Sequence, residues 1–274
     1  MTSVDTVIPL TARVPLHNTT SRPSTAAAAR PLDGGRSIRR PAVDLEVVVP
    51  AYNEAERLPT TVAATVGYLT EQPWESRVVV VDNGSSDDTG RAIRSMALRS
   101  GPVCVDVIGC ARPGKGAAVR RGLLSSESQF VGFFDADLAT PVETLSATMA
   151  LLSRGVSAVV ASRYASSSAL LRRQPLGRRV GGAMFRRVAR TLVTGVSDTQ
   201  CGFKFFNRTA VARALAQCRT TGFAFDVELL RRIQADGGSI AEIPVAWTDD
   251  PRSTFRPIPD GVASFAALLQ LRRG

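Results

Sequence analysis

Phe130-Val-Gly-Phe-Phe-Asp-Ala-Asp137 is the stretch on which the fold turns. Its apolar run is the length of a buried strand, and two carboxylates two residues apart follow it at once. A helix is predicted after Pro141, to about Ser153. The same unit repeats upstream. Leu45-Glu-Val-Val-Val-Pro50 reads as a buried strand, and a helix is predicted over Asn53–Leu69, with Asn53 as cap and Glu54 and Glu56 in its first turn. Arg77–Val81 predicts a strand that ends in Asp82-Asn-Gly-Ser-Ser-Asp-Asp-Thr89, and a helix to about Leu98 follows. Val103–Ile108 and Ser157–Ala161 predict further strands, and Gly114-Lys-Gly116 opens a helix to about Leu124. Strands alternating with helices of this length imply an α/β fold, a mostly parallel sheet with helices on both faces. Ligands of such sheets bind at the C-terminal strand ends. Three of those ends carry polar clusters here: Tyr52-Asn53-Glu54, Asp82-Asn83-Gly84 and Asp135-Ala136-Asp137.

The spacing of Asp135 and Asp137 lets both carboxylates face one hard divalent cation, Mg²⁺ or Mn²⁺, whose shell phosphate oxygens often complete. The composition narrows the chemistry further. The chain has 274 residues and a single histidine, His17, far upstream of the first strand. That excludes a Ser-His-Asp triad, a Cys-His pair and a His-ligated metal from the expected site. Lys115 and Lys204 are the only lysines among 34 basic residues. Cys104, Cys110, Cys201 and Cys218 form no CxxC pair and read as reduced thiols, with Cys201 a packed one. No stretch approaches the ~18 consecutive apolar residues of a membrane span. The first thirty residues lack the continuous apolar segment of a signal peptide, so none is expected.

The net charge of +10 is unevenly spread. Residues 1–40 hold six Arg and two Asp, residues 171–190 hold seven Arg and no acid, and the rest is nearly neutral. Aromatic residues are 6% and no nucleic-acid-binding motif occurs, so no nucleic-acid partner is expected.

Four segments together resemble the family 2 glycosyltransferases of GT-A, Rossmann-type fold: Val47-Val-Val-Pro-Ala-Tyr-Asn-Glu54, Val79-Val-Val-Asp-Asn-Gly-Ser-Ser-Asp-Asp-Thr89, Gly114-Lys-Gly-Ala-Ala118 and Phe133-Phe-Asp-Ala-Asp137. Asp198-Thr-Gln-Cys-Gly-Phe-Lys-Phe205, Ala224-Phe-Asp-Val-Glu-Leu-Leu230 and Ala241-Glu-Ile-Pro-Val-Ala-Trp-Thr248 are similar to that family's dolichyl-phosphate glucosyltransferase branch. Two positions depart from the pattern: Asn83 replaces a usual Asp, and Ala139 stands where some relatives carry a metal-contacting Gln.

The resemblance implies a nucleotide pocket lined by Pro50, Ala51, Tyr52, Asn53 and Glu54. It implies that Asp82 holds the base with Lys115 nearby, that Asp135 holds ribose or the metal shell, and that Asp137 ligates the metal. It also implies that Arg163 contacts phosphate, that Arg178 is a second such arginine, and that Asp198, Gln200 and Lys204 complete the acceptor side. The implied reaction is inverting transfer of a hexose, glucose from UDP-glucose first, onto a polyprenyl or dolichyl phosphate. A soluble or secondary-metabolite acceptor, and a mannosyltransferase using GDP-mannose, are the alternatives. A phosphate monoester arrives largely ionised near pH 7 and needs no general base. Were one needed, Asp198, Asp226 or Glu228 would be the candidate.

The organisation expected is a disordered basic leader over 1–43, a catalytic domain over 44–256, and a C-terminal surface helix over 257–274. Within the domain, 170–192 reads as a basic amphipathic segment. Val180, Met184, Val188 and Leu192 recur every four residues, with Arg179, Arg186, Arg187 and Arg190 on other faces. Such a helix suits an anionic membrane surface, so peripheral attachment at the cytoplasmic face is expected. A helix packed on the domain with its arginines in water is the alternative.

Overall fold

Alternating valines divide each central strand between two cores. Val48, Val79 and Val81 belong to one apolar cluster, and Val47, Val49, Val78 and Val80 to the other. A strand buried on both faces is mostly apolar, as a covered parallel sheet requires, and the buried charges Glu46 and Arg77 face each other at 3.5 Å. The computed structural model describes residues 43–97, 101–165, 169–170, 176–247 and 257–273. All of them fall in one compact unit, Arg40–Gly274. The leader up to residue 42, His17 included, lies outside the described residues.

The first half is built of β1 (Leu45–Ala51), α1 (Leu58–Thr70), β2 (Ser76–Asp82), α2 (Thr89–Ala97), β3 (Cys104–Gly109), α3 (Lys115–Ser125) and β4 (Phe130–Phe134). Next come α4 (Thr144–Ser153), β5 (Ala158–Ser162), β6 (Ala169–Leu170), α5 (Leu176–Ala189), β7 (Phe203–Asn207) and α6 (Arg208–Gln217). The chain ends with α7 (Phe225–Ala235), β8 (Ile240–Pro244), β9 (Ala246–Trp247) and α8 (Pro257–Arg273). The main sheet has the order β3-β2-β1-β4-β7-β5-β8, and β6 pairs with β9 separately. Of the seven strands, β7 alone is antiparallel to its neighbours. The expected α/β sheet with helices on both faces is therefore observed. Residues of α3, α6 and α7 pack into one cluster, residues of α1, α2 and α4 into the other.

The first helix starts later than the sequence suggests. Asn53 does not cap α1, whose first residue is Leu58 with Pro59 beside it. Asn53 instead adopts φ 55°, a left-handed conformation that asparagine tolerates, and closes a loop. Proline early in the first turn fits a helix that begins at Leu58, because that N–H has no intrahelical partner.

Strand β7 places the end of the Asp198–Phe205 segment. Its Phe203 lies opposite Phe134, and its Lys204 opposite Phe133. At Gly132 an added Cβ would sit 2.2 Å from the Phe205 ring, so the glycine is what lets that ring cross the sheet. Among the described residues, no helix is long and apolar enough to cross a membrane.

The basic segment forms helix α5, but its apolar stripe differs from the expected one. Phe185 and Ala189 are buried, Val188 and Leu192 pack beside them, and Met184 is 64% exposed. The Phe185 ring meets Phe265 of α8 edge-on at 5.6 Å between centroids. A four-residue spacing ran straight along the helix surface. The packed stripe shifts by one residue because helix periodicity is 3.6 and α8 supplies the partner. The side chain of Val180 lies outside the described residues, as do those of Arg178 and Arg179. Helix α8 buries Leu268 completely, in the same cluster as the sheet.

Candidate active site

The three polar clusters converge at one edge of the sheet because β1, β2 and β4 run parallel and end together. Main-chain and side-chain bonds then tie the loops to one another. The Asn53 N–H donates to Ser85 Oγ at 3.0 Å, and Asn53 Oδ1 accepts from the Ser86 N–H at 2.9 Å. The Glu54 N–H donates to Thr89 Oγ1 at 2.8 Å. Asp82 accepts from the Ser85 N–H at 2.9 Å and so shapes its own turn. Pro50 and Ala51 are the last residues of β1, and Tyr52 stands half-exposed just past it.

Asn83 does work that the aspartate usual at this position could not. Its Nδ2 donates to the carbonyls of Arg112, at 2.7 Å, and Cys110, at 3.2 Å. Its Oδ1 accepts the Gly114 N–H at 2.8 Å. An ionised carboxylate accepts only and would leave both carbonyls unserved.

Asp135 and Asp137 line one pocket together with Arg163, Gln200, Gly202 and Trp247. Asp135 is wedged in place. Its N–H donates to the Gly202 carbonyl at 2.9 Å, and an added Cβ at residue 202 would overlap Asp135 Oδ2 at 1.9 Å. Asp137 Oδ1 accepts the Ala139 N–H at 3.0 Å. Burial first, and then Asp135, push the Asp137 carboxyl above its ordinary range. Glu54 is also pushed up, by burial, although Arg57 holds it with two bonds of 2.7 and 2.6 Å.

A half-buried pair of carboxylates lining one pocket fits a divalent cation, and its donors are all hard oxygens. Among the described residues no group of three potential ligands gathers, so two carboxylates would leave the remaining positions to substrate oxygens and water.

Lys115 is expected near the base-binding Asp82. The structure commits its ammonium to Asp135, 2.6 Å from Oδ1. Burial would lower this ammonium, but Asp135 and then Asp226 outweigh it and hold it above its ordinary value.

Arg163 faces the pocket, and Asp198 fixes its direction. Its Nε donates to Asp198 Oδ2 at 2.7 Å and its Nη2 to Oδ1 at 2.9 Å, a bidentate pair. The guanidinium also lies 5.2 Å from the centre of the Trp247 ring and 5.5 Å from that of Tyr164. Burial alone would raise the Asp198 carboxyl. The Arg163 charge overrides it and holds Asp198 below the usual carboxylate range. Glu242 of β8, which lies in the Ala241–Thr248 segment but to which no role was assigned, accepts the N–H groups of Ser197 and Asp198 at 2.8 and 2.9 Å.

Two expected acceptor-side contacts are corrected here. Lys204 is fully buried and pairs with Asp226 Oδ1 at 2.8 Å, because its position in β7 points it under the sheet. Asp198 is equally buried and acts on the pocket through Arg163 and through the Gln200 N–H, which donates to its Oδ1 at 3.2 Å. Gln200 alone of that trio lines the pocket. The three alternative bases are all engaged: Asp198 by Arg163, Asp226 by Lys204, and Glu228 by Arg232, Arg219 N–H and Thr220 N–H. Burial pushes the Cys201 thiol up to about 11, in keeping with a packed thiol.

Arg57, Gly202, Glu242 and the Arg186–Tyr164 pair are features of the site that sequence reading passed over. Arg186 Nη1 donates to Tyr164 Oη at 2.9 Å and stacks over its ring. Only Gly202 had a visible signal, because a glycine next to a strand start often marks a close approach. Arg178 falls in α5.

Residues 46–215 match the family model described as Glycosyl transferase family 2. The dolichyl-phosphate beta-glucosyltransferase of Homo sapiens is 34% identical over 235 residues, covering 79% of this chain and 71% of its own. The protein of that name from Dictyostelium discoideum is 29% identical over 240 residues, covering 83% and 73%. Among solved structures, glucosyl-3-phosphoglycerate synthase from Mycobacterium tuberculosis, in complex with Mn²⁺, UDP-glucose and phosphoglyceric acid, superposes with TM-score 0.60. It is 20% identical, covering 84% of this chain and 79% of that one, a likeness of fold.

Proposed function

The chain belongs to glycosyl transferase family 2, and on that premise we propose that it moves glucose from UDP-glucose, with inversion, onto a polyprenyl or dolichyl phosphate at the cytoplasmic face of a membrane. The observation that carries the acceptor class is the state of the carboxylates. Asp198, Asp226 and Glu228 are each held by a cation or by N–H donors, so none is free to take a proton from a hydroxyl. A phosphate acceptor needs no such base, since it arrives charged. The names of the relatives support the same acceptor and sugar.

Each residue then has a task. Tyr52, Asn53, Glu54 and Asp82 frame the nucleotide at the ends of β1 and β2. Asp135 and Asp137 would hold Mg²⁺ or Mn²⁺, whose chemistry there is to neutralise the leaving diphosphate. Arg163 keeps Nη1 clear of the Asp198 pair and offers it to a phosphate oxygen in the pocket. Trp247 and Tyr164 flank that guanidinium and keep it from swinging away.

Peripheral attachment rests on α5 and α8. These helices pack together through Phe185 and Phe265, and they keep Met184, Val262 and Leu269 exposed. Arg186 and Arg187 lie on the first of them, and Arg190 follows directly after its last residue. Apolar side chains beside arginines suit a lipid headgroup layer.

The donor is tested by incubating the purified protein with Mg²⁺, a short polyprenyl phosphate and either UDP-glucose or GDP-mannose. Faster consumption of UDP-glucose is expected. Preferential use of GDP-mannose would move the assignment to a polyprenyl-phosphate mannosyltransferase.

A further inference from the structure

We infer that Lys115 is an internal stand-in for the divalent cation: it holds Asp135 while the site is empty and gives it up when cation and nucleoside diphosphate arrive together. This rests on Asp135 and Asp137 being cation ligands. The Lys115 ammonium lies 2.6 Å from Oδ1 of Asp135, a carboxylate that lines one pocket together with Asp137.

The geometry says which partner has to move. Asp135 is held closely, because its N–H is tied to the Gly202 carbonyl and its Oδ2 fills the space that a side chain at residue 202 would need. The backbone of Lys115 cannot retreat easily either. Gly114 adopts φ 113°, and an added Cβ there would lie 2.3 Å from the Thr221 carbonyl oxygen. At Gly116 an added Cβ would lie 2.4 Å from Phe225 Cβ. Both glycines press the loop against the segment that leads into α7, so the exchange falls to the side chain of Lys115. A lysine suits that task, since its single charge sits on four rotatable bonds, whereas a forked guanidinium binds a carboxylate at two points.

The energetics follow from counting charges. Two carboxylates in one pocket repel, and Lys115 offsets part of that repulsion. A cation arriving alone must break the Lys115–Asp135 pair and leave the ammonium with only more distant carboxylates. A cation arriving with a diphosphate supplies new anionic oxygens for the ammonium. Cation and nucleotide therefore favour each other's binding, and reciprocally so.

Equilibrium Mn²⁺ binding to the full-length protein tests this, read by the electron paramagnetic resonance of free Mn²⁺, with and without UDP. The unsubstituted protein should bind Mn²⁺ weakly alone and more tightly with UDP. Lys115→Met should bind Mn²⁺ alone roughly fivefold more tightly, the size of a partly exposed ion pair, with a smaller gain from UDP. Lys115→Gln takes its place if thermal unfolding shows the Met variant misfolded. Substituted protein that binds Mn²⁺ alone no more tightly would overturn the role of Lys115, the cation reading standing. No Mn²⁺ bound by the unsubstituted protein, even with UDP, would overturn both.

Discussion

Lys204 and Asp226 pair at 2.8 Å in a place closed to solvent, which makes them partners in stability and not in binding. Removing one charge of a buried pair strands the other. Lys204→Met should cost about 3 kcal/mol, read as a lower midpoint of urea unfolding. Asp137 should behave in the opposite way. Its charge is disfavoured by burial and by Asp135, so Asp137→Asn should raise the melting temperature of the unliganded protein while abolishing sugar transfer. At this scale the sequence was readable where one side chain acts directly. Asp135 and Asp137, paired by their spacing, and Arg163, named by the resemblance, line one pocket. It was unreadable where one residue acts through another. Nothing in the string Asp198–Phe205 tells that Asp198 steers Arg163 while Lys204 points beneath the sheet, because that depends on the register of β7 against β4.

Among the elements, α5 carries the clearest division of labour. Phe185 is packed against α8 and Met184 is open to solvent, one residue apart. Phe185→Ala should destabilise the fold by about 3 kcal/mol. Met184→Gln should leave stability within about 0.5 kcal/mol and weaken binding to vesicles rich in anionic lipid. Co-sedimentation with such vesicles checks the second half; unchanged binding would favour a helix that merely packs on the domain. The parallel strands were legible because a strand buried on both faces is built around a short apolar run, as Val47–Val49 in β1, Val78–Val81 in β2 and all of β4 show. Strand β7 interrupts its run with Lys204, and β8 reads Ile-Ala-Glu-Ile-Pro, so neither announces itself. The start of α1 was missed for a related reason. Asn53 has the residue type of a helix cap, but the Ser86 N–H, 33 residues away, claims its oxygen.

For the molecule as a whole, two carboxylates set the acid limit. Asp198 and Glu228 are held below their ordinary range, against the cost of burial, by Arg163 and by Thr220 with Arg232. A depressed carboxylate stabilises the fold above its unfolded value and loses that contribution as pH falls through its folded value. Unfolding midpoints should therefore drop steeply below about pH 4, where unfolded Asp and Glu begin to take up protons. The uneven net charge also finds its place at this scale. The strongly basic stretch lies partly in α5, which is followed in the chain by the segment carrying Asp198 and Gln200.

The central claim is that the acceptor is a lipid-borne phosphate. Its most direct test gives the purified protein UDP-glucose and Mg²⁺ with equal concentrations of a short polyprenyl phosphate and 3-phosphoglycerate, and identifies the glucosylated product by mass. The account predicts glucosyl polyprenyl phosphate as the dominant product. Glucose found on the soluble phosphate instead, with the lipid unmodified, would contradict it.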